Sequence, residues 1–337
     1  MFYFHSMQRL PILVILLGFI SCGKNNETQK QRFLLRGNEA LKQQNYRESE
    51  RFYKEAIALD SCYVPAISNL GILAYQSSRY GEAVLHYDRA ISCDPTFMDA
   101  QINRANAFYE LNELFRALDD LAYVEQKLPD TSYVHFMKGL VLTKMRKFDE
   151  ALTAFDRAVA LDSGNAEVGV NRGSVYYYLG ALAKAKSDLD NALKIDPLES
   201  NAYNALALVE IDKANYDEAL SLVNNALDFE PIQPYFLNNR GYIHLLMGNH
   251  ELARKDIDQS ITLDPGNAWA YRNKGWYYYK TADYEEAVRL LKQATKLDPY
   301  VDKGFQYLAE AYWSNGEKIS ACNLVSEKSV SVGFSCD

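Results

Sequence analysis

The amino-acid sequence predicts an all-α solenoid of about nine helix-turn-helix repeats, each 34 residues long. Small residues recur at this interval without insertion, at Gly37, Gly71, Ala105, Gly139, Gly173, Ala207, Gly241, Gly275 and Ala309. A second register lies 12 residues after the first, at Ser49, Ala83, Ala117, Ala151, Ala185, Ala219, Ala253, Ala287 and Ala321. A fixed period of this length is typical of stacked supersecondary units.

Each 34-residue block is expected to hold two antiparallel helices and a turn. Small side chains are needed where two helices cross at ~8–10 Å, because large side chains on both would clash. The turn register reads Ser61, Pro95, Pro129, Ser163, Pro197, Pro231, Pro265, Pro299 and Gly333. Proline there ends the second helix, since it cannot extend the hydrogen-bond ladder.

Recurring segments such as KFDEALTAFDRAVALD and DYEEAVRLLKQATKLDP resemble the tetratricopeptide repeat, over residues 30 to about 335. The resemblance implies a right-handed α-α superhelix with repeats starting near 30, 64, 98, 132, 166, 200, 234, 268 and 302. One helix pair cannot bury its apolar face alone, so neighbouring pairs must stack. Lys328 stands where other repeats mostly place alanine, and this predicts that the last helix is a polar cap.

The amino terminus predicts an export signal over residues 1–21. Arg9 precedes an apolar run from Leu10 to Ile20 and a small residue, Ser21. This run is too short to span a ~30 Å hydrocarbon layer, so cleavage is expected rather than a permanent transmembrane anchor. The residues FISC resemble the lipobox of bacterial lipoproteins, which implies lipid on Cys22, a linker over 22–29, and attachment to the outer membrane on its periplasmic face. An ordinary signal peptide with an incidental thiol is the alternative.

The charge pattern argues against a nucleic-acid partner. The formal net charge is −8, and basic residues alternate with acidic ones along almost every segment. Phosphate binding requires clustered Lys and Arg instead. The five histidines are scattered without metal-ligand spacing, and no phosphate loop, H-E-x-x-H or nucleophile elbow occurs. The sequence therefore predicts neither an enzyme nor a cofactor or metal site.

One face of the first helices is the candidate ligand groove. Counted from Lys30 in blocks of 34, the first helix buries positions 4, 8 and 11 and presents positions 2, 5, 6, 9, 12 and 13 on the opposite side. Position 6 holds asparagine in five repeats, as Asn69, Asn103, Asn171, Asn239 and Asn273. An amide offers one donor group and one acceptor, which match a peptide bond. The resemblance implies a ladder that holds an extended peptide; bonding within the array is the alternative.

The same face carries aromatic residues, namely Tyr75, Tyr109, Tyr177, Tyr242, Trp269, Trp276, Tyr279 and Trp313. Aromatic side chains with polar tips are common anchors in binding surfaces. In the triplet YYY of the fifth repeat, Tyr176 is expected in the core, Tyr177 in the groove and Tyr178 at its rim. In GWYYYK, Trp276 and Tyr279 take groove positions and Tyr278 the core. Packing between adjacent first helices is the alternative for such a stripe.

Four cysteines remain besides Cys22. Two disulfides, Cys62–Cys93 and Cys322–Cys336, would be the topologically simplest pairing in an exported protein. Free thiols are the alternative, because the Cα separation of the first pair must stay below ~7 Å.

These features predict a lipid-anchored scaffold that binds an extended peptide or a protein partner in its concave groove and contacts the membrane through Cys22. The family suggests a role in cell-envelope assembly or secretion. Two alternatives stay open: a carbohydrate-binding or cell-wall-binding lipoprotein that stacks its aromatic stripe on sugars, and a structural homo-oligomer.

Overall fold

A computed structural model describes the backbone of residues 11–336 and the side chains from Asn26 onward. This part of the chain contains eighteen α-helices and no strand. The predicted all-α class is therefore confirmed. Among the helices so described, none is both long enough and apolar enough to cross a bilayer.

The helices form two compact units, one ending at Leu161 and the other beginning at Asp162. The first unit contains α1 (Pro11–Lys42), α2 (Tyr46–Leu59), α3 (Val64–Gln76), α4 (Tyr80–Cys93), α5 (Met98–Glu110), α6 (Leu114–Lys127), α7 (Ser132–Lys144) and α8 (Phe148–Leu161). The second contains α9 (Ala166–Tyr178), α10 (Leu182–Ile195), α11 (Ser200–Asp212), α12 (Tyr216–Phe229), α13 (Pro234–Leu246), α14 (His250–Leu263), α15 (Ala268–Lys280), α16 (Tyr284–Leu297), α17 (Gly304–Ser314) and α18 (Lys318–Lys328).

The helix boundaries follow the period of the sequence. The first helices α3, α5, α7, α9, α11, α13 and α15 begin where a 34-residue block begins, whereas α17 begins at Gly304, two residues into the ninth block. The first helices α3 to α15 each pack most extensively against the second helix of their own repeat, and within each unit the first helices of consecutive repeats are also in contact. Polar caps support several starts: for example, Asn165 Oδ1 accepts hydrogen bonds from the N–H groups of Glu167 and Val168.

The recurring small residues at position 8 mark the place where the two helices of a repeat come closest. A Cβ atom built on Gly71 would lie 2.4 Å from the ring of Tyr87, sixteen residues later. Gly139 meets Phe155 at the same distance. Such contacts leave room for hydrogen only, so glycine allows the aromatic ring to fill the space between the two helices.

Six of the eight turns between repeats share one hydrogen bond. The carboxylate of the aspartate after the second helix accepts a hydrogen bond from the N–H two residues later, as in Asp94 to Thr96 at 2.9 Å and Asp196 to Leu198 at 2.9 Å. This is an Asx turn, which closes the connection locally. The aspartate thus supports the helix stop that the sequence assigns to proline. The residue that donates the N–H lies at position 33 of its repeat.

The turns within repeats need one residue with positive φ at position 15. Glycine occupies it three times, as Gly180, Gly248 and Gly316, while other repeats place residues such as Ala214 (φ 59°) and Ala282 (φ 63°) there. An L residue in this left-handed region carries backbone strain.

Two cysteine pairs lie at bonding distance. The sulfurs of Cys62 and Cys93 are 2.01 Å apart and those of Cys322 and Cys336 are 2.13 Å apart, and each pair has a Cα separation of 5.5 Å. The first pair joins the ends of α2 and α4, and the second fixes the carboxyl-terminal tail to α18. The Cα separations satisfy the geometric condition for both predicted pairings.

Candidate binding wall

We call the residues at positions 2, 5, 6, 9, 12 and 13 of the first helices the wall, and describe it separately in each unit. The side chain of Cys22, the proposed lipidation site, and the signal sequence over residues 1–21 lie outside the described side chains. The periodicity places the predicted groove residues on the wall, but their environments differ sharply between the two units.

In the second unit the wall asparagines bond mainly to each other. Asn273 Nδ2 donates to Asn238 Oδ1 at 2.8 Å, and Asn239 Nδ2 donates to Asn204 Oδ1 at 2.8 Å. Asn238 Nδ2 donates to Asn239 Oδ1 at 3.3 Å, which joins the two pairs. Asn273 is completely buried, contrary to the groove exposure predicted for it. Adjacent asparagines at positions 5 and 6 supply partners within the array, so this amide is not available to a peptide.

Arg272, the residue directly before Asn273, also bonds to the asparagine network. Its Nε donates to Asn273 Oδ1 at 2.9 Å and its Nη1 donates to the backbone carbonyl of Asp302 at 3.1 Å. The guanidinium also lies 4.7 Å from the ring centroid of Tyr242 and 5.0 Å from that of Trp269. Cation–π contacts of this kind stabilise a charge that is only 3% exposed. The arginine is therefore part of the packed interior.

Large aromatic side chains fill the remaining wall of this unit. Trp276 stacks on Tyr307 with ring centroids 3.9 Å apart and on Tyr279 at 4.6 Å. The hydroxyl groups of Tyr242 in the seventh repeat and Tyr307 in the ninth lie 3.4 Å apart, although a whole repeat lies between them in the sequence. Burial and the neighbouring Tyr242 hydroxyl raise the pKa of Tyr307. Tyr242 and Trp276, predicted to face the groove, are thus buried because side chains of this size meet across the wall; Trp269 and Tyr279 are half-buried.

The fifth repeat presents part of its tyrosine triplet. Tyr176 and Tyr177 are half-buried and pack against the same core cluster, while Tyr178 is exposed. Burial and the nearby Asp212 carboxylate raise the pKa of Tyr177. Asn171 Nδ2 donates to the backbone carbonyl of Glu167 in its own helix at 2.9 Å. In the eighth repeat Tyr277 is buried and Tyr278, predicted in the core, is half-buried against it.

The wall of the first unit is more open. Asn69 Nδ2 donates to Asn38 Oδ1 at 2.7 Å, and the Tyr53 hydroxyl donates to the same oxygen at 2.8 Å. Asn103 differs from these residues. This residue is half-buried, and its amide makes no hydrogen bond to any other residue that the structure describes.

Two half-buried tyrosines, Tyr75 in α3 and Tyr109 in α5, belong to the same wall as Asn103. The Tyr75 hydroxyl donates to Glu110 Oε1 at 3.3 Å, which places α3 beside α5 at this point. The Nζ of Lys144 lies 4.4 Å from the ring centroid of Tyr109. Asn106 Nδ2 donates to the Tyr133 hydroxyl at 2.9 Å, whereas its enclosed Oδ1 has no hydrogen-bond partner among the described residues. The surface therefore combines amide groups, aromatic rings and one charge of each sign.

The last predicted groove residue, Trp313, is covered by the carboxyl-terminal tail. Phe334 stacks on its indole with centroids 4.2 Å apart, and Lys318 Nζ lies 5.0 Å from the ring. The Cys322–Cys336 pair fixes the same tail. Trp313 therefore packs within its own chain.

Sequence reasoning missed three buried ion pairs on the opposite side of the first helices. Asp120, Asp188 and Asp256 each accept two hydrogen bonds from the guanidinium of an arginine sixteen residues earlier, namely Arg104, Arg172 and Arg240. The signal was present as arginine at position 7 and aspartate at position 23 of alternate repeats. These pairs join the helices of one repeat. No cluster of three potential metal ligands occurs among the described residues.

Comparisons with known proteins agree with the repeat geometry. Family models described as tetratricopeptide repeat match residues 34–96, 68–133, 132–165, 170–231 and 235–299. The chain is 24% identical over 221 residues to a Hsp70-Hsp90 organizing protein of Triticum aestivum, covering 55% of this chain and 38% of that protein. It is 22% identical over 206 residues to the mitochondrial import receptor subunit TOM70 of Rattus norvegicus, covering 59% and 34%. The chain thus spans little more than a third of these relatives.

Solved structures share the fold. A chain from the crystal structure of the APC/C hetero-tetramer Cut9-Hcn1 matches with a TM-score of 0.58 at 15% identity, covering 83% of this chain and 59% of that one. Identity at this level relates the two chains by fold alone.

Proposed function

The chain belongs to the tetratricopeptide repeat family, and from that premise we propose that it is a binding scaffold whose wall in the first unit holds an extended peptide or a protein segment. The half-buried Asn103, whose amide makes no hydrogen bond among the described residues, is the observation that carries this proposal. A polar group that is already partnered gains little from a ligand, whereas a free amide can accept from and donate to a peptide backbone.

The other residues of this wall offer groups that can hold a peptide. Tyr75 and Tyr109 offer rigid, partly exposed rings, and Glu110 and Lys144 add opposite charges within the same two turns of wall. Rigid aromatic groups anchor partners at low entropic cost. The seventh to ninth repeats support the proposal by contrast, because their own side chains fill the wall there.

The relatives support a partner of this class. One relative is named as an organizing protein of Hsp70 and Hsp90, and the other as a subunit of an import receptor. We extend this to the present chain as a proposal, together with lipid attachment at Cys22 and a role at the outer membrane on its periplasmic face, in envelope assembly or secretion.

The wall is tested by panning a random peptide library displayed on phage against the full chain. The Kd of a selected peptide is then measured for the wild type and for Asn103→Ala combined with Tyr109→Ala. We expect Kd to rise at least about tenfold, or ~1.4 kcal/mol, since the variant removes one amide and one anchor. Tyr123→Ala, which removes an exposed ring from α6, is the matched control. Equal affinity of all three proteins contradicts the proposed wall.

The anchor is tested separately by labelling cells with radioactive palmitate. The wild-type chain should carry label in the membrane fraction and Cys22→Ser should carry none. Equal labelling of both would refute lipid attachment at this residue without bearing on the wall.

A further inference from the structure

One edge of the second unit exposes apolar side chains that the fold does not explain. They lie at the end of each second helix and in the turn that follows, at position 30 of repeats five to eight and at position 33 of repeats five, six and eight; position 33 of the seventh repeat is Gly266. We call this set the turn-edge ridge; its members are Ile195, Leu198, Phe229, Ile232, Leu263, Leu297 and Tyr300. Leu198, Ile232 and Tyr300 are 64%, 70% and 66% exposed.

Neighbouring turns of the ridge are in contact through Tyr203. Its hydroxyl donates to the backbone carbonyl of Pro197, beside Leu198, at 3.2 Å. Its ring lies 6.0 Å from that of Phe229 in the same repeat. The apolar groups are therefore parts of one continuous surface over at least these two turns. Contiguous exposed apolar patches mark interaction sites more often than scattered side chains do.

The turn itself does not require an apolar residue at position 33. The same Asx turn is formed in the first unit with Thr96, whose N–H donates to Asp94 at 2.9 Å, and at the start of the second unit with Gly164, whose N–H donates to Asp162 at 3.0 Å. Leu198 and Tyr300 make the equivalent bond, to Asp196 at 2.9 Å and to Asp298 at 2.8 Å. The turn geometry is thus the same with polar and apolar residues. Folding alone leaves the exposed leucine and tyrosine unexplained.

The charge beside the ridge identifies the chemistry of its partner. The segments 194–199, 228–233, 262–267 and 296–301 contain six aspartate or glutamate residues and two lysines. Two copies of the ridge would bring like charges together, and the negative surface of an anionic membrane would be repelled as well. A partner with basic groups around apolar ones complements both properties.

We propose that the turn-edge ridge docks a cationic amphipathic segment of another protein, independently of the wall. Apolar side chains of that segment would cover Leu198, Ile232 and Tyr300, and its Lys or Arg side chains would face the carboxylates of the four turns. Because the ridge lies at the ends of the second helices and the wall on the first helices, one chain can hold two partners.

The test uses two labelled synthetic peptides, an amphipathic helix of Leu and Lys and its counterpart of Leu and Glu. Fluorescence anisotropy with the full chain should show binding of the Lys peptide at least about tenfold tighter than the Glu peptide, and this preference should weaken with added salt. Replacing Leu198, Ile232 and Tyr300 together by Thr, the residue found at position 96, should weaken the Lys peptide at least about tenfold.

The matched control replaces Leu85 and Phe115 by Thr, since these side chains are equally exposed but lie in the first unit. This control and Asn103→Ala with Tyr109→Ala should bind the Lys peptide like the wild type, which separates the ridge from the wall. The proposal is overturned by equal binding of both peptides, by equal loss in the control, or by no loss in the ridge variant. The proposal is also overturned if the wild type, but not the ridge variant, pellets with phosphatidylcholine vesicles or forms dimers in sedimentation, because the ridge would then bind a membrane or a second copy of the chain.

Discussion

Replacing Gly71 with alanine tests the packing rule that closes each repeat. The new methyl carbon would lie 2.4 Å from a ring carbon of Tyr87, whereas carbon atoms in contact lie ~3.5–4.0 Å apart. The ring is almost completely buried and cannot swing aside. Overpacking costs about 1–3 kcal/mol, and an overlap of this size belongs at the upper end. The higher helix propensity of alanine offsets about 1 kcal/mol of this cost. The net expectation is a loss of about 2 kcal/mol.

Gly81 provides the control for this substitution. It lies in the adjoining helix α4, and a Cβ atom there would meet no atom within 4 Å. Gly81→Ala should therefore stabilise the protein by up to about 1 kcal/mol, through helix propensity alone. The two glycine-to-alanine changes thus have opposite expected signs.

The third repeat supplies the rescue, because it places Ala105 and Leu121 at the positions of Gly71 and Tyr87. The double variant with Gly71→Ala and Tyr87→Leu should be about 2 kcal/mol more stable than the sum of its single changes predicts, within the range of coupling between residues in contact. Urea unfolding followed by circular dichroism gives the midpoints. Amide exchange in α3 and α4 gives the local effect, because repeat arrays can depart from two-state behaviour. If Gly71→Ala raises the midpoint as Gly81→Ala does, or the double variant is additive, the close-contact reasoning is refuted.

Three further predictions concern stability. Ala282→Gly should raise the melting temperature by relieving about 1 kcal/mol of strain at its positive φ, where Gly248 is the natural precedent; an unchanged or lower melting temperature contradicts this. Asn273→Ala should cost about 1–3 kcal/mol in urea unfolding, because it leaves the buried Arg272 without the acceptor of its Nε–H; a neutral result would mean that another acceptor takes its place. Burial lowers the pKa of His244, so its neutral form stabilises the fold fully above the unfolded value near 6.5, and this stability is lost as the pH falls below that value. His244→Gln should therefore lose less stability than the wild type between pH 7.5 and 5.5, and equal slopes would count against the assignment.

The sequence predicts the helical framework well because the framework depends on local rules. The spacing of small residues and prolines is enough to locate the two helices of a repeat. A steric clash between helices or a missing backbone N–H affects the structure at the residue that causes it, so its effect can be read from the sequence directly. The ninth repeat shows the limit of this reasoning. Its first helix begins at Gly304, although the register alone would start it at residue 302.

The environment of the wall could not be predicted in the same way. Asn103 and Asn273 occupy the same position of their repeats, yet Asn103 is half-buried without a hydrogen bond from its amide, whereas Asn273 is fully buried and bonded to Asn238. The difference arises chiefly from Asn238 in the preceding repeat and from Arg272, the neighbour of Asn273 in its own helix. Periodicity assigns a side chain to a face of its helix. Whether that face stays open depends on the size of what the next repeats place opposite.

The contact between Tyr242 and Tyr307 has a consequence for how this chain can evolve. In a simple repeat array each unit touches only its neighbours, so a unit can be duplicated or deleted with little penalty. Here the seventh and ninth repeats meet directly, with the indole of Trp276 from the eighth stacked against Tyr307. Removing or inserting one 34-residue module would separate these partners. The carboxyl-terminal repeats have thus given up modularity for a shared interior.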